Sequence, residues 1–351
     1  MSASNLLQLD YREAARHFRA LPFPIIDVHT HVHGKNAARI LNEVAELFGV
    51  QKIFSMTPLE EFDEVKESLG ERLELIAYPI FRSENPQHAH GDGYLERIRE
   101  YHRLGARLVK FWAAPRGVDF GESFGAPGAL ALDTPSRRRA MELACELGMV
   151  IMTHVGDPDT WFATKYKDAS RYGTKRSQYD SLERLLEMYP TPWMAAHMGG
   201  WPEDLNFLSA LLEAHPNLHL DTSATKWIVR EVSNHSRDEV VKFLSRWKGR
   251  ILFGSDIVTS EDHLSASPGE SFKGDQATTE AEAFELYASR YWALRTLWET
   301  DYSGPSPIED PDLQMVNPNC SERSPLLSGK SLPIDLLEDL YYASSAKLLL
   351  A

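Results

Sequence analysis

The chain has 351 residues, 43% of them hydrophobic, so it can bury a large core, and an α/β barrel of this length would form a single domain over 1–351. Its 37 Lys plus Arg against 51 Asp plus Glu give a formal net charge of −14, which argues against nucleic acid or an anionic membrane surface as the main partner. Cys145 and Cys320 are the only cysteines, no apolar run reaches membrane-spanning length, and Met1 to Asp10 lacks a basic region followed by an apolar core; the expectation is a cytoplasmic protein without a disulfide framework, free to form a homo-oligomer.

Short apolar runs suited to buried strands begin near Ile25, Lys52, Leu73, Arg107, Met149, Pro192, Leu218 and Ile251, eight in all. Amphipathic helical patterns lie between them. Ala37, Ile40, Leu41, Val44 and Leu47 form one stripe over Ala37 to Phe48, and Ser181 to Met188 and Leu205 to Leu212 repeat the rhythm. Thr134-Pro135 and Trp201-Pro202-Glu203-Asp204 read as helix starts. The alternation predicts a (β/α)8 TIM barrel, with its core over 24–258, a loop-rich stretch over 259–332 and a terminal helix over 333–351. Three connections, 114–133, 156–177 and 258–280, exceed a simple βα loop and are expected to shape a pocket; Tyr302 to Leu332, rich in Pro, Ser and Asn, reads as irregular.

The first strand reads Ile25-Ile26-Asp27-Val28-His29-Thr30-His31. Side chains at i and i+2 share a face, so His29 and His31 can meet one ion. Alone such a pair is weak, because histidines serve widely as surface or hydrogen-bonded core residues. Three further ligand-type residues, His154, His197 and Asp256, each follow an apolar strand. Barrel closure would bring all five to one mouth; an open doubly wound sheet would not.

In this order the motifs resemble the amidohydrolase superfamily, and within it the branch of aminocarboxymuconate-semialdehyde decarboxylase, resorcylate decarboxylases and 2-pyrone-4,6-dicarboxylate lactonase. The resemblance spans roughly residues 24 to 258, and Leu332 to Leu349 resembles that branch's terminal helix. It implies one divalent ion, zinc by default and manganese as the alternative, on His29, His31, His154 and Asp256. Lys110 stands where the superfamily carbamylates a lysine between two metals, in which case His197 would also be a ligand. An unmodified lysine is a cation and would repel the ion, so Lys110 is either carbamylated or set back as an anion binder.

The resemblance further implies that Asp256 moves a proton from water to the leaving group and that His197 polarises the carbonyl of the substrate. The plainer alternatives are a helix N-cap for Asp256 and a turn histidine for His197. Asp27 reads as a support for the histidines and His33 as solvated. Lys226 and Arg230 could bind a substrate carboxylate or be ordinary surface charges. Trp112, Trp161, Trp201 and Trp227 each follow a predicted strand and could line the mouth for a planar substrate, or simply pack loops. Three function classes result: a metal-dependent hydrolase of a small, anionic amide, ester or lactone; a metal-dependent decarboxylase with the same ligands; and a non-catalytic barrel with a structural metal, which a ligand set without Cys disfavours.

Overall fold

The apolar runs become short strands separated by helices. The computed structural model describes residues 3–265 and 274–350. In chain order the strands are β1 (Ile25–His31), β2 (Val50–Ser55), β3 (Leu73–Ala77), β4 (Leu108–Trp112), β5 (Val150–His154), β6 (Trp193–Ala195), β7 (Leu218–Asp221), β8 (Ile251–Leu252) and β9 (Ile257–Val258). The first eight begin within two residues of the expected positions; β9 is additional. No helix among the described residues is long and apolar enough to cross a membrane. Cys145 and Cys320 are free thiols.

The chain divides into two compact units, Met1–Glu74 with Thr222–Ala351, and Leu75–Asp221. In the first, β1 runs parallel to β2, pairing Asp27 with Ile53, and parallel to β9, pairing His31 with Val258. Every residue of β1 except half-buried His31 is buried, as expected of a strand covered on both faces. The helix Lys35–Leu47 buries Ala37, Ile40, Leu41 and Val44 of the stripe read from the sequence, and Leu47 at its end is half-buried. The 20-residue helix Glu280–Glu299 was not among the predicted elements. Residues all round it are buried, including Leu286, Tyr287, Tyr291, Trp292 and Trp298, so it has no amphipathic stripe to read. The Tyr302–Leu332 stretch is more regular than expected. Ser303–Pro305 pairs antiparallel with Leu326–Ser328, and Asp312–Val316 is helical. Strands of three residues are too short to show alternation. The terminal segment is helical from Ile334 and π-helical over Asp339–Ala343 and Ala346–Leu350.

In the second unit β3 to β7 are all parallel and paired in sequence order, with Ile76 opposite Leu108, Trp112 opposite His154, Met152 opposite Met194 and Ala195 opposite Leu220. Parallel neighbours need crossover connections. The helices Asp92–Arg103, Pro135–Glu146, Tyr179–Met188 and Leu205–Ala214 supply them. Two begin as their sequences require: Thr134 accepts the Arg137 N–H, and Asp204 accepts those of Asn206 and Phe207. The long connections hold short helices, Gly117–Ser123 in 114–133, and Asp159–Phe162 and Ala169–Tyr172 in 156–177. Of the 258–280 connection, residues 266–273 lie outside the described residues.

The loops after β5 and β6 lock together. Lys175 Nζ donates to the carbonyls of Asp157 and Gly200, and the Tyr179 hydroxyl donates to Gly199 O at 2.8 Å. Gly200 has φ +79°, and a Cβ there would lie 2.2 Å from Gly156 O. Gly249 has φ +80° with nothing within 4 Å of a Cβ. Gly249→Ala should therefore cost only the left-handed backbone, about 1 kcal/mol, and Gly200→Ala roughly 3 kcal/mol or more through the added clash. Denaturant midpoints measure both; equal losses would contradict the packing of these loops.

Candidate metal centre

β1 turns Asp27, His29 and His31 to one face, and Asp256 reaches that face from the turn before β9. Asp256 adopts φ +59°, its N–H donates to His29 O at 2.8 Å, and the Thr259 N–H donates to His31 O at 2.9 Å. Its Oδ1 lies 3.6 Å from His29 Nε2 and 3.1 Å from His31 Nε2. A tetrahedral ion with bonds of about 2.1 Å separates its ligand atoms by roughly 3.4 Å, so these three donors fit a zinc-sized divalent cation. Such a left-handed backbone at a non-glycine residue is the kind of strain that clusters at functional sites.

The surroundings orient the donors. His29 Nδ1 is 2.8 Å from Ser223 Oγ, which directs Nε2 toward Asp256. A Cβ at Gly254 would lie 3.1 Å from His29 Cβ and 3.0 Å from Ser223 Cβ, so the close approach of that segment favours glycine. Asp27 is fully buried. It accepts from the His29 N–H at 3.1 Å, the Ser255 N–H at 3.0 Å, the Ser255 hydroxyl and the Tyr291 hydroxyl at 2.9 Å. Burial pushes its carboxyl up to about 7, against the downward pull of these donors. Asp27 is thus a support, as its place in the sequence suggested. His33 is half-buried, with its N–H on Thr259 Oγ1 and its Nδ1 3.8 Å from Glu61.

The second unit gathers its own set. The His154 and His197 rings meet edge to face at 4.5 Å. His154 Nε2 is 2.8 Å from Asp157 Oδ1, and Asp157 Oδ2 accepts the Tyr166 hydroxyl at 2.6 Å. Burial would raise the Asp157 carboxyl, but the charge and hydrogen bond of His154, the Tyr166 hydroxyl and the Arg116 charge outweigh it and hold the group below the usual carboxylate range. His197 is buried with φ +60°, its N–H donating to Asp221 Oδ1 at 2.9 Å. Lys110 is buried on β4, and its carbonyl accepts the Tyr94 hydroxyl.

Trp112, half-buried at the end of β4, stands edge-on to His154 at 6.2 Å. Trp161 is buried beneath Lys165, whose Nζ is 3.4 Å from the ring centre. Trp201 stacks on Tyr179 and meets Phe207, a packing role. Trp227 is half-buried. Arg230 is buried, and its guanidinium already meets the carboxylates of Glu231, Asp310 and Asp312. Ser223, Ser255, Tyr291, Asp157 and Asp221 escaped the sequence reading. Only Asp157, three residues beyond His154, carried a local signal.

The family profile described as amidohydrolase matches residues 13–317. The chain belongs to the amidohydrolase family. This is the superfamily its strand-end motifs resemble. No curated protein matches this amidohydrolase by sequence. Among solved structures, a metal-dependent hydrolase from Lactobacillus casei is similar at 12% identity and TM-score 0.50, covering 93% of this chain and 95% of that one. At that identity the likeness shows the α/β fold alone. A zinc-bound amidohydrolase from Burkholderia multivorans (12% identity, TM-score 0.46, 93% and 99% covered) and 2,6-dihydroxybenzoate decarboxylase from Rhizobium (13%, 0.43, 77% and 99%) are also similar.

Lys226 is half-buried in the first turn of the helix Thr225–Ser233. Burial, then the Arg290 charge, lower its pKa to about 8, opposed by Asp310, Asp312 and Glu309. Below pH 8 both the folded and unfolded forms carry the proton, and folding bears the full cost of the buried charge; that cost fades as pH rises from about 8 to 10.5. Lys226→Met should therefore be more stable than wild type at pH 7, by on the order of 2 kcal/mol, with the gap closing toward pH 10.5. Denaturant midpoints across that range check it; a gap that does not change with pH would contradict the buried charge.

Proposed function

We propose that this amidohydrolase is a metal-dependent hydrolase acting on a small, anionic amide, ester or lactone, on a (β/α)8 barrel scaffold. The observation that supports it is the approach of His29, His31 and Asp256, whose donor atoms lie within 4.8 Å of one another. In this reading the three hold one divalent ion, zinc first and manganese second, and His154 joins them on the resemblance of its Thr153-His154 motif. Bound there, the ion supplies Lewis acidity and lowers the pKa of water from roughly 15.7 to about 7.

The chain's own groups do the rest. Ser223 holds the His29 ring with Nε2 toward Asp256. Asp256, on a turn tied to β1, takes the proton from water and returns it to the leaving group. His197 donates a hydrogen bond to the oxygen on which negative charge develops, a contribution of about 3 kcal/mol. In a decarboxylase the same Asp256 would protonate carbon after carbon dioxide leaves. Solvent oxygen from labelled water appears in the organic product of a hydrolase and not in the organic product of a decarboxylase.

Metal content by plasma mass spectrometry on wild type, His31→Ala and Asp256→Ala, purified without chelating tags, tests the reading. About one equivalent in wild type, lost from both variants, is expected. Two equivalents would make His197 and a carbamylated Lys110 ligands. No metal after reconstitution with zinc or manganese contradicts it.

A further inference from the structure

Arg116 lies four residues beyond the end of β4 and is exposed. Its guanidinium carbon is 5.5 Å from the Trp112 ring centre, 5.4 Å from that of Phe120 and 5.4 Å from that of Trp161. Trp112 and Phe120 meet edge to face at 5.4 Å, so the rings form a frame that limits the side chain's rotamers. Carboxylates are at hand on the following helix, yet Asp119 and Glu122 both pair with Arg171, at 2.6 and 2.7 Å. Asp157 is occupied by His154 and Tyr166. Arg116 forms no ion pair among the described residues. An arginine held by ring faces and exposed, in no contact ion pair among the described residues and facing only the charge of Asp157, which His154 and Tyr166 already hold, offers a planar fork of N–H donors matched to a carboxylate.

The frame shares Trp112 with His154, whose ring stands 6.2 Å from it. A ligand carboxylate on Arg116 would therefore have aromatic surface beside it and a candidate reacting group within the reach of a small molecule. Lysine would not serve equally, because its point charge lacks the bidentate geometry.

We propose that Arg116 is a specificity-determining residue that receives a carboxylate of the substrate, with the planar part of that substrate lying against Trp112 and Phe120. This rests on the reading of the protein as an enzyme of a small anionic substrate. It makes the substrate a planar carboxylic acid and gives its charged end a named receptor.

Benzoate and its neutral analogue benzamide are the probes, titrated into full-length protein with tryptophan fluorescence and calorimetry as readouts. Wild type should bind benzoate at least tenfold more tightly than benzamide. Arg116→Met should lose that preference, and Arg116→Lys should recover only part of it; unchanged thermal midpoints show that the variants are folded. Equal benzoate affinity in wild type and Arg116→Met, equal affinity for both probes, or no benzoate binding to wild type up to about 10 mM would each overturn the proposal. The same titration in Asp256→Ala separates it from the metal reading. Benzoate binding that survives there and still depends on Arg116 supports the receptor whatever the metal content. Binding abolished by Asp256→Ala and indifferent to Arg116→Met overturns it.

Discussion

A carboxylate with no exposure to solvent is tolerable only if its lone pairs are met, and the arrangement around β1 follows from how Asp27 meets that condition. Its donors come from three parts of the chain: the His29 N–H of the strand itself, the N–H and hydroxyl of Ser255, and the Tyr291 hydroxyl of the helix Glu280–Glu299. Satisfying one buried group thus draws together the strand that carries the histidines, the turn that carries Asp256 and the helix behind them. Removing any one donor would leave part of a buried charge without a partner, which costs more than the bond itself contributes.

The candidate ligands depend on that arrangement at one remove. Asp256 follows Ser255, and its left-handed backbone lets its N–H bond to His29 O while its carboxylate turns to the two imidazoles. His29, buried and held through Nδ1 by Ser223, has little freedom; His31, with 31% of its side chain exposed, stands at the open end of the set. Rigid donors already near ligand spacing lower the entropy lost when an ion binds. The His154–Asp157–Tyr166 chain in the other unit is built alike, a histidine held by a carboxylate that is itself held by a hydroxyl.

Much of this was legible in the amino-acid sequence because buried parallel strands are short, mainly apolar runs, and a ligand-type residue ending such a run stands out. His29, His31, His154, His197 and Asp256 were all visible on that ground, as were the strands that carry them. What was not legible depends on contacts far apart in the chain. Nothing near Asp27 in sequence announces Tyr291, 264 residues away, and nothing near Arg230 announces Asp310 or Asp312, so its charge read as either a substrate binder or an ordinary surface charge, and it is neither exposed nor unpaired. The helix bearing Tyr291 is buried all round and has no period to detect, and the three-residue strands of the Ser303–Ser328 hairpin are too brief to alternate. Arg116 drew no notice because its distinguishing property is the turning of Asp119 and Glu122 toward Arg171, which only the folded chain displays.

In the proposed reading His29, His31 and Asp256 converge on one cation. Anomalous diffraction at the zinc edge from crystals of zinc-loaded protein tests it most directly. A peak bonded to His29 Nε2, His31 Nε2 and Asp256 Oδ1 at about 2.0–2.2 Å each is expected. A fully loaded protein with its zinc elsewhere, or a peak that leaves any of these three atoms unbonded, would contradict it.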